Sequence, residues 1–232
     1  MDRRRTTIFF DFGGTLARLV PPNQDPVGVW VTSASKIGLD VPSDRVAMAL
    51  QETTRRLGPQ IYEYVGRTDE YWRLFDGMIL DRLGVKNGRE KLLRRVRRTF
   101  HDPANVELFP ETRSVLEVVR ARGYLTGLIS NHDDGLLELL EFHRLKPLFD
   151  SVTYSQEAGA EKPNPAIFSK ALQRAGASPS EAVHVGDSIA HDVEGAIRSG
   201  IEPIWVDRMR LGGLGGYRTI HSLDELIGLL GG

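Results

Sequence analysis

The sequence predicts an α/β protein in which a parallel sheet flanked by helices is interrupted by an all-helical insert. Three observations carry that expectation. The apolar run Ile8-Phe9-Phe10 ends in Asp11 and then Gly13-Gly14, the pattern of a buried strand that turns at the carboxyl edge of a sheet. From Phe109 onward, helical and strand-like segments alternate, which is the rhythm of βαβ units. Between these parts strand alternation is missing, and four segments with helical spacing follow one another. The expected division is a core of residues 1–20 and 106–232 with residues 21–105 as a helical cap.

In order, the strand signal stops after Leu16, and Pro21-Pro22-Asn23-Gln24-Asp25-Pro26 marks a loop. The insert then reads as a helix near Val29 to Ile37, one opening at Ser43-Asp44, one opening at Thr68-Asp69 and one carrying Leu92, Val96 and Phe100. Gly58 and Gly84 stand as stops for the second and third. Beyond the insert, Pro110-Glu111-Thr112 starts a helix that Gly123 ends, followed by the strand Leu125 to Ile129. A helix around Leu136 to Phe142, a short strand Ser151 to Tyr154 and a helix opened by Asn164-Pro165 come next. The strand Ala182 to Val185 leads into Gly186-Asp187-Ser188, a helix runs on to Gly200, and Pro203 to Val206 reads as the final strand. Leu211 to Gly216 is a glycine loop without the Lys-Ser or Lys-Thr of a P-loop, and Ser222 to Leu230 is a last surface helix.

Composition narrows the function. At 232 residues and 41% hydrophobic, the chain buries a sizeable core. Thirty Lys and Arg stand against 31 Asp and Glu, so no overall field draws in nucleic acid or an anionic membrane. The Arg94-Arg95-Val96-Arg97-Arg98 run spreads around a helix and reads as a solvated face. No apolar run reaches transmembrane length. Cysteine is absent, which removes disulfides, thiolate metal sites and Cys nucleophiles and is compatible with a reducing cytoplasm. The expected partner is a small molecule.

Polar residues collect at four strand ends or the loops after them: Asp11, Ser130-Asn131, Lys162, and Asp187 with Asp192. Each alone is also ordinary turn, cap or loop chemistry. Together they matter more, because parallel strands bring their carboxyl ends to one edge, where open α/β sheets bind ligands. Carboxylates set side by side repel unless a cation lies between them, and an all-oxygen site suits Mg²⁺. The ion in turn draws in phosphate. Lys162 can neutralise Asp11 and a phosphoryl oxygen, Ser130 and the backbone amides after Asp11 can hydrogen-bond phosphate, and Asp11 is left to attack phosphorus.

Over nearly its whole length the chain resembles haloacid dehalogenase-like hydrolases with an inserted helical cap, the C1-capped branch. Asp11-Phe12-Gly13-Gly14-Thr15 is similar to the family's nucleophile motif, Ser130 to its second motif, Lys162-Pro163 to its third, and Gly186-Asp187-Ser188 through Asp192 to its acidic fourth. The resemblance implies a Rossmann-like three-layer core and Mg²⁺-dependent hydrolysis of a small phosphorylated metabolite. It implies Asp11, Ser130 and Lys162 as catalytic residues, and Gly14, Thr15, Ser130, Asn131 and Lys162 around phosphate. It further implies metal ligation by Asp11, the Gly13 carbonyl and Asp187, with Asp192 in support. The cap would close over substrate. Tyr62, Tyr64, Arg67 and Trp72 are candidate substrate contacts, although the aromatics among them read more readily as core.

One position departs from the pattern. The family's phosphatases usually carry a second Asp, the general acid and base, where this chain has Gly13. A positioned acid or base is worth about 10²- to 10⁴-fold in rate. Three readings follow from the gap: a phosphatase with its proton donor placed elsewhere, among His132, Asp133 and Asp134, or with a good leaving group; a dehalogenase or phosphonate-cleaving relative; and a phosphometabolite-binding or regulatory protein with little turnover.

Overall fold

The computed structural model describes residues 6–20, 26–58, 60, 68–100, 102–212 and 216–230. The loop expected over residues 21–25, the residues Tyr62, Tyr64 and Arg67, and the centre of the glycine loop lie outside them. The chain divides into two compact units, Met1–Arg18 with Glu107–Gly232, and Leu19–Val106.

The first unit holds a six-stranded, all-parallel sheet. Its strands are β1 (Thr7–Phe10), β4 (Leu125–Ser130), β5 (Ser151–Tyr154), β6 (Ala182–Gly186), β7 (Glu202–Val206) and β8 (Arg218–Ile220), in the order β5-β4-β1-β6-β7-β8. Every residue of β1 and β6 is buried. That is why these strands read as continuous apolar runs: helices cover both faces of a parallel sheet. The sheet order reverses at β1, which has β4 on one side and β6 on the other. Phe10 pairs with both Leu128 and Val185, so the residues following β1, β4 and β6 come out along one edge, at the switch point where such sheets bind ligands.

Helices α5 (Thr112–Ala121), α6 (Gly135–Phe142), α7 (Ser155–Ala158), α8 (Pro165–Ala175), α9 (Glu194–Arg198) and α10 (Asp224–Leu229) belong to the same unit. One core cluster joins Phe9 and Ile129 of the sheet to Ile167, Phe168 and Ala171 of α8 and to Ala196 of α9. The Asn164 side chain accepts from the Ala166 N–H and caps α8, as Asn-Pro at a helix start predicts.

The second unit contains α1 (Pro26–Ser35), α2 (Ser43–Leu57), α3 (Thr68–Arg82) and α4 (Arg89–Phe100). Val29, Trp30, Val46, Ile79, Leu80, Leu92 and Val96 fill its own core. Gly84, at φ +69°, closes α3 as expected. Gly58 does not stop α2 in that way: its φ of −52° is right-handed. Trp72 is not core, being 46% exposed on α3 with its ring edge-on to Tyr71 and Phe75.

Three strands differ from expectation. Strand character resumes after Leu16 in β2 (Ala17–Leu19), which pairs with β3 (Val106–Leu108) as a two-stranded ribbon. Strand β8 follows β7, which is therefore not the last. Each has three residues, too few for alternation to register, and hydrogen bonding to a neighbour defines them instead.

Candidate active site

Asp11 follows the central strand and is 6% exposed, its N–H bonded to the Val185 carbonyl at 2.9 Å. Lys162, 2% exposed, places its Nζ 2.6 Å from Asp11 Oδ1 and 2.6 Å from Asp192 Oδ1. Carboxylate oxygens of Asp11, Asp187 and Asp192 all lie within 4.8 Å of one another. Asp187 opens to solvent while the other two are buried. The sheet edge therefore brings together four of the predicted groups from across the chain.

Backbone geometry makes the cluster fit. Gly14 has φ +79°, and a Cβ there would overlap the Asp187 carboxylate. Gly186 would in the same way drive a Cβ into Asp192. After β6 the chain enters a π-helical turn, Ile189–Val193, opened by Ser188, whose hydroxyl accepts from the His191 N–H. Such turns often mark functional sites. This one folds Asp192 back so that its Oδ2 accepts from the Ser188 N–H at 3.0 Å while Oδ1 takes Lys162. The indole of Trp205 on β7 donates to the Asp187 carbonyl at 2.9 Å.

Three carboxylates face one ammonium. Burial opposes the charge on Lys162, but Asp11 and Asp192 outweigh it and raise the lysine pKa. Asp192 is buried too, yet Lys162 and His184 hold it below the ordinary carboxylate range. Burial raises Asp11, with Lys162 pulling it back and Asp192 adding to the rise. Asp187 is pushed up to about 7 by its crowding among protein atoms and by the charges of Asp11 and Asp192. The lysine charge thus satisfies Asp192, and the two outer carboxylates retain unbalanced charge. An all-oxygen pair of this kind fits a hard divalent cation such as Mg²⁺.

Several expected contacts are arranged differently. Asn131, expected at phosphate, has its Oδ1 accepting from the Lys162 N–H at 2.7 Å and its Nδ2 donating to the Lys162 carbonyl at 3.0 Å. It fixes the loop that presents the lysine. Thr15 is fully buried, and its hydroxyl has no protein partner. The Gly14 N–H donates to the Ala17 carbonyl at 2.8 Å and is spent. Among the described residues the Phe12, Gly13 and Thr15 N–H groups have no acceptor, so the free amides flank Gly14 on both sides. Asp192, expected to support a metal, has both oxygens engaged by Lys162, His184 and Ser188. Ser130 ends β4 and is 4% exposed. Gly13 meets open space where a side chain would stand.

Two contributors carry little sequence signal. His184 lies 1% exposed inside β6, its Nε2 2.9 Å from Asp192 Oδ1. A lone polar residue in an otherwise apolar strand was the available cue. Arg208 reaches the carbonyls of Gly14 and Thr15, 194 and 193 residues away in sequence, and no local pattern announces that.

Known proteins share this architecture. A family model described as haloacid dehalogenase-like hydrolase matches residues 43–206. A glyceraldehyde 3-phosphate phosphatase of Methanothermobacter thermautotrophicus is 31% identical over 207 residues, covering 86% of this chain and 84% of that protein. Haloacid dehalogenase-like hydrolase domain-containing protein 3 of Bos taurus is 29% identical over 206 residues, covering 86% and 80%. Among solved structures, a HAD phosphatase from Thermococcus onnurineus superimposes with a TM-score of 0.67 at 28% identity over 98% of both chains. The chain, with its buried lysine among three aspartates on the sheet edge, thus belongs to the haloacid dehalogenase-like hydrolase family.

Proposed function

We propose that the protein is a Mg²⁺-dependent phosphatase of a small phosphorylated metabolite, acting in the cytoplasm through an aspartyl-phosphate on Asp11, with the helical unit as a C1-type cap. The observation that carries this reading is the Lys162 ammonium held 2.6 Å from Asp11 while Asp187 stays open to solvent beside it. A dianionic phosphoryl group needs positive charge at that point, and the lysine supplies a compact, buried source of it. The relatives named as phosphatases of glyceraldehyde 3-phosphate and of the HAD type support the same reading.

In this reading Asp11 Oδ attacks phosphorus, the ester oxygen leaves with the bonding pair, and water then attacks phosphorus to free phosphate and restore Asp11. Lys162 offsets charge on Asp11 and on the transferred group, while Asn131 holds the lysine main chain. The Phe12, Gly13 and Thr15 amides are the backbone donors left in the turn for phosphoryl oxygens, and Ser130 lies at the end of the adjacent strand. Asp11, Asp187 and the Gly13 carbonyl would hold Mg²⁺, with Asp192 behind them. Bound there, the ion would neutralise the outer carboxylates and stabilise developing charge on oxygen.

Phosphate release from a panel of phosphorylated metabolites, with Mg²⁺ and with EDTA, tests the proposal. Asp11→Asn should abolish turnover while retaining the fold. Release that survives in Asp11→Asn, or that is indifferent to EDTA, overturns it.

A further inference from the structure

The turn that follows Asp11 is strapped down from two other strand and helix ends. The Arg208 guanidinium, in the loop after β7, donates through Nε to the Gly14 carbonyl at 3.1 Å and through Nη2 to the Thr15 carbonyl at 2.6 Å. Its Nη1 bonds Glu111 Oε1 at 2.7 Å, and the group stacks 3.4 Å from the centre of the Phe109 ring. The next carbonyl, that of Leu16, accepts from the Thr112 hydroxyl at 2.6 Å and from the Phe109 N–H at 3.0 Å. Three successive carbonyls are thus held, two of them by one side chain. With 18% and 11% of the Arg208 and Glu111 side chains exposed, the ion pair is largely shielded from water and from salt.

We propose that Arg208 is a positioning residue that sets the Asp11 turn against Asp187. Gly14 is the contact point: it lies so close to the Asp187 carboxylate that no Cβ fits between them. A shift of the Gly14 and Thr15 carbonyls therefore changes the spacing of Asp11 and Asp187 together. The planar guanidinium is suited to this because its fork grips two carbonyls in fixed directions while a third nitrogen keeps its charge paired with Glu111. A lysine ammonium has no such fork. Phe109 backs the flat face of the guanidinium and resists its rotation. The catalytic meaning of the strap rests on Asp11 being the nucleophile.

Hydrogen exchange and steady-state kinetics on the full chain test it together. In wild type the Gly14, Leu16 and Ala17 amides are bonded within the turn and should exchange slowly. In Arg208→Lys and Arg208→Ala their exchange should rise by about tenfold or more, with β4 and β6 unchanged. Hydrolysis of p-nitrophenyl phosphate should lose about 10- to 100-fold in kcat with KM held within about twofold. Millimolar guanidinium should slow turn exchange and restore part of kcat in Arg208→Ala, and do neither in Arg208→Lys. Wild-type exchange in the turn overturns the proposal, as does a rise spread through β4 and β6, or a loosened turn with unchanged kcat. If wild type hydrolyses no phosphate ester, the phosphatase reading falls by that result, and turn exchange alone decides whether Arg208 holds it.

Discussion

On the proposed phosphatase reading, Gly13 is the residue whose chemistry most limits the reaction. A side chain there would stand in open space, so the position lacks an acid through its identity and not through crowding. Without a carboxylic acid to protonate the departing oxygen, aryl and acyl phosphates should turn over faster than alkyl phosphates. Gly13→Asp should fold normally and flatten that dependence, with a gain of about 10²-fold or more on alkyl esters. Rates plotted against leaving-group pKa for both proteins check this, and a flat plot for wild type would sink the argument. Gly14 behaves oppositely. Gly14→Ala brings both a strained positive φ and an overlap with Asp187, so Mg²⁺ binding measured by calorimetry should be lost, whereas Gly13→Ala should keep it.

At the scale of elements, the site depends on joints between strand ends. The bond pair from Asn131 ties the end of β4 to the loop before α8, and Lys162 then spans from Asp11 after β1 to Asp192 after β6. Asn131→Ala removes two hydrogen bonds, each worth about 0.5–1.5 kcal/mol, from that joint. Urea denaturation should show a loss of about 1–3 kcal/mol for the two together, with kcat falling more than KM changes. Behind the joint, His184 gives Asp192 a buried partner from within β6. His184→Phe leaves that carboxylate short of a partner and should cost about 1–3 kcal/mol, while His184→Gln, which retains a donor, should cost less. Equal losses for the two variants would show that His184 only fills space beside Phe168, with which its ring packs edge-on at 5.3 Å.

For the whole molecule, the carboxylate cluster couples stability to protons and, on the proposed Mg²⁺ reading, to cations. The ordinary Asp187 value of 3.8 is raised to about 7 in the fold, so the folded state binds this proton more tightly than the unfolded chain does. The corresponding stability is complete below about pH 4 and is lost as pH rises through about 7. A cation at the same carboxylates acts in the opposite direction. Mg²⁺ at about a hundred times its dissociation constant adds about 2.7 kcal/mol, a rise of about 5–10 °C in Tm for a chain of this size. That gain should be large at pH 8 and small at pH 5, where the proton competes. A Tm gain equal at both pH values, by scanning calorimetry, would place the ion elsewhere.

The sequence by itself determined the layered α/β plan, the all-helical run of α1 to α4 and the grouping of Asp11, Lys162, Asp187 and Asp192. Burial on both faces forces apolar runs in β1 and β6, and a helix core forces the spacing of Val29, Val46, Ile79 and Val96. Both are local constraints that a chain must write into its own order. Only the tertiary structure decided which side chains of the candidate site are open and which are engaged by their neighbours. Asn131 turned out to hold Lys162 and Thr15 to be buried, because a side chain's partner is set by what folds next to it. Strands β2, β3 and β8 are too short to carry a period, so they are defined by the strand beside them, which for β2 and β3 is distant in sequence. Arg208 is the extreme case, since the carbonyls it grips sit nearly the whole chain away and become its partners only when β1 and β7 share one sheet.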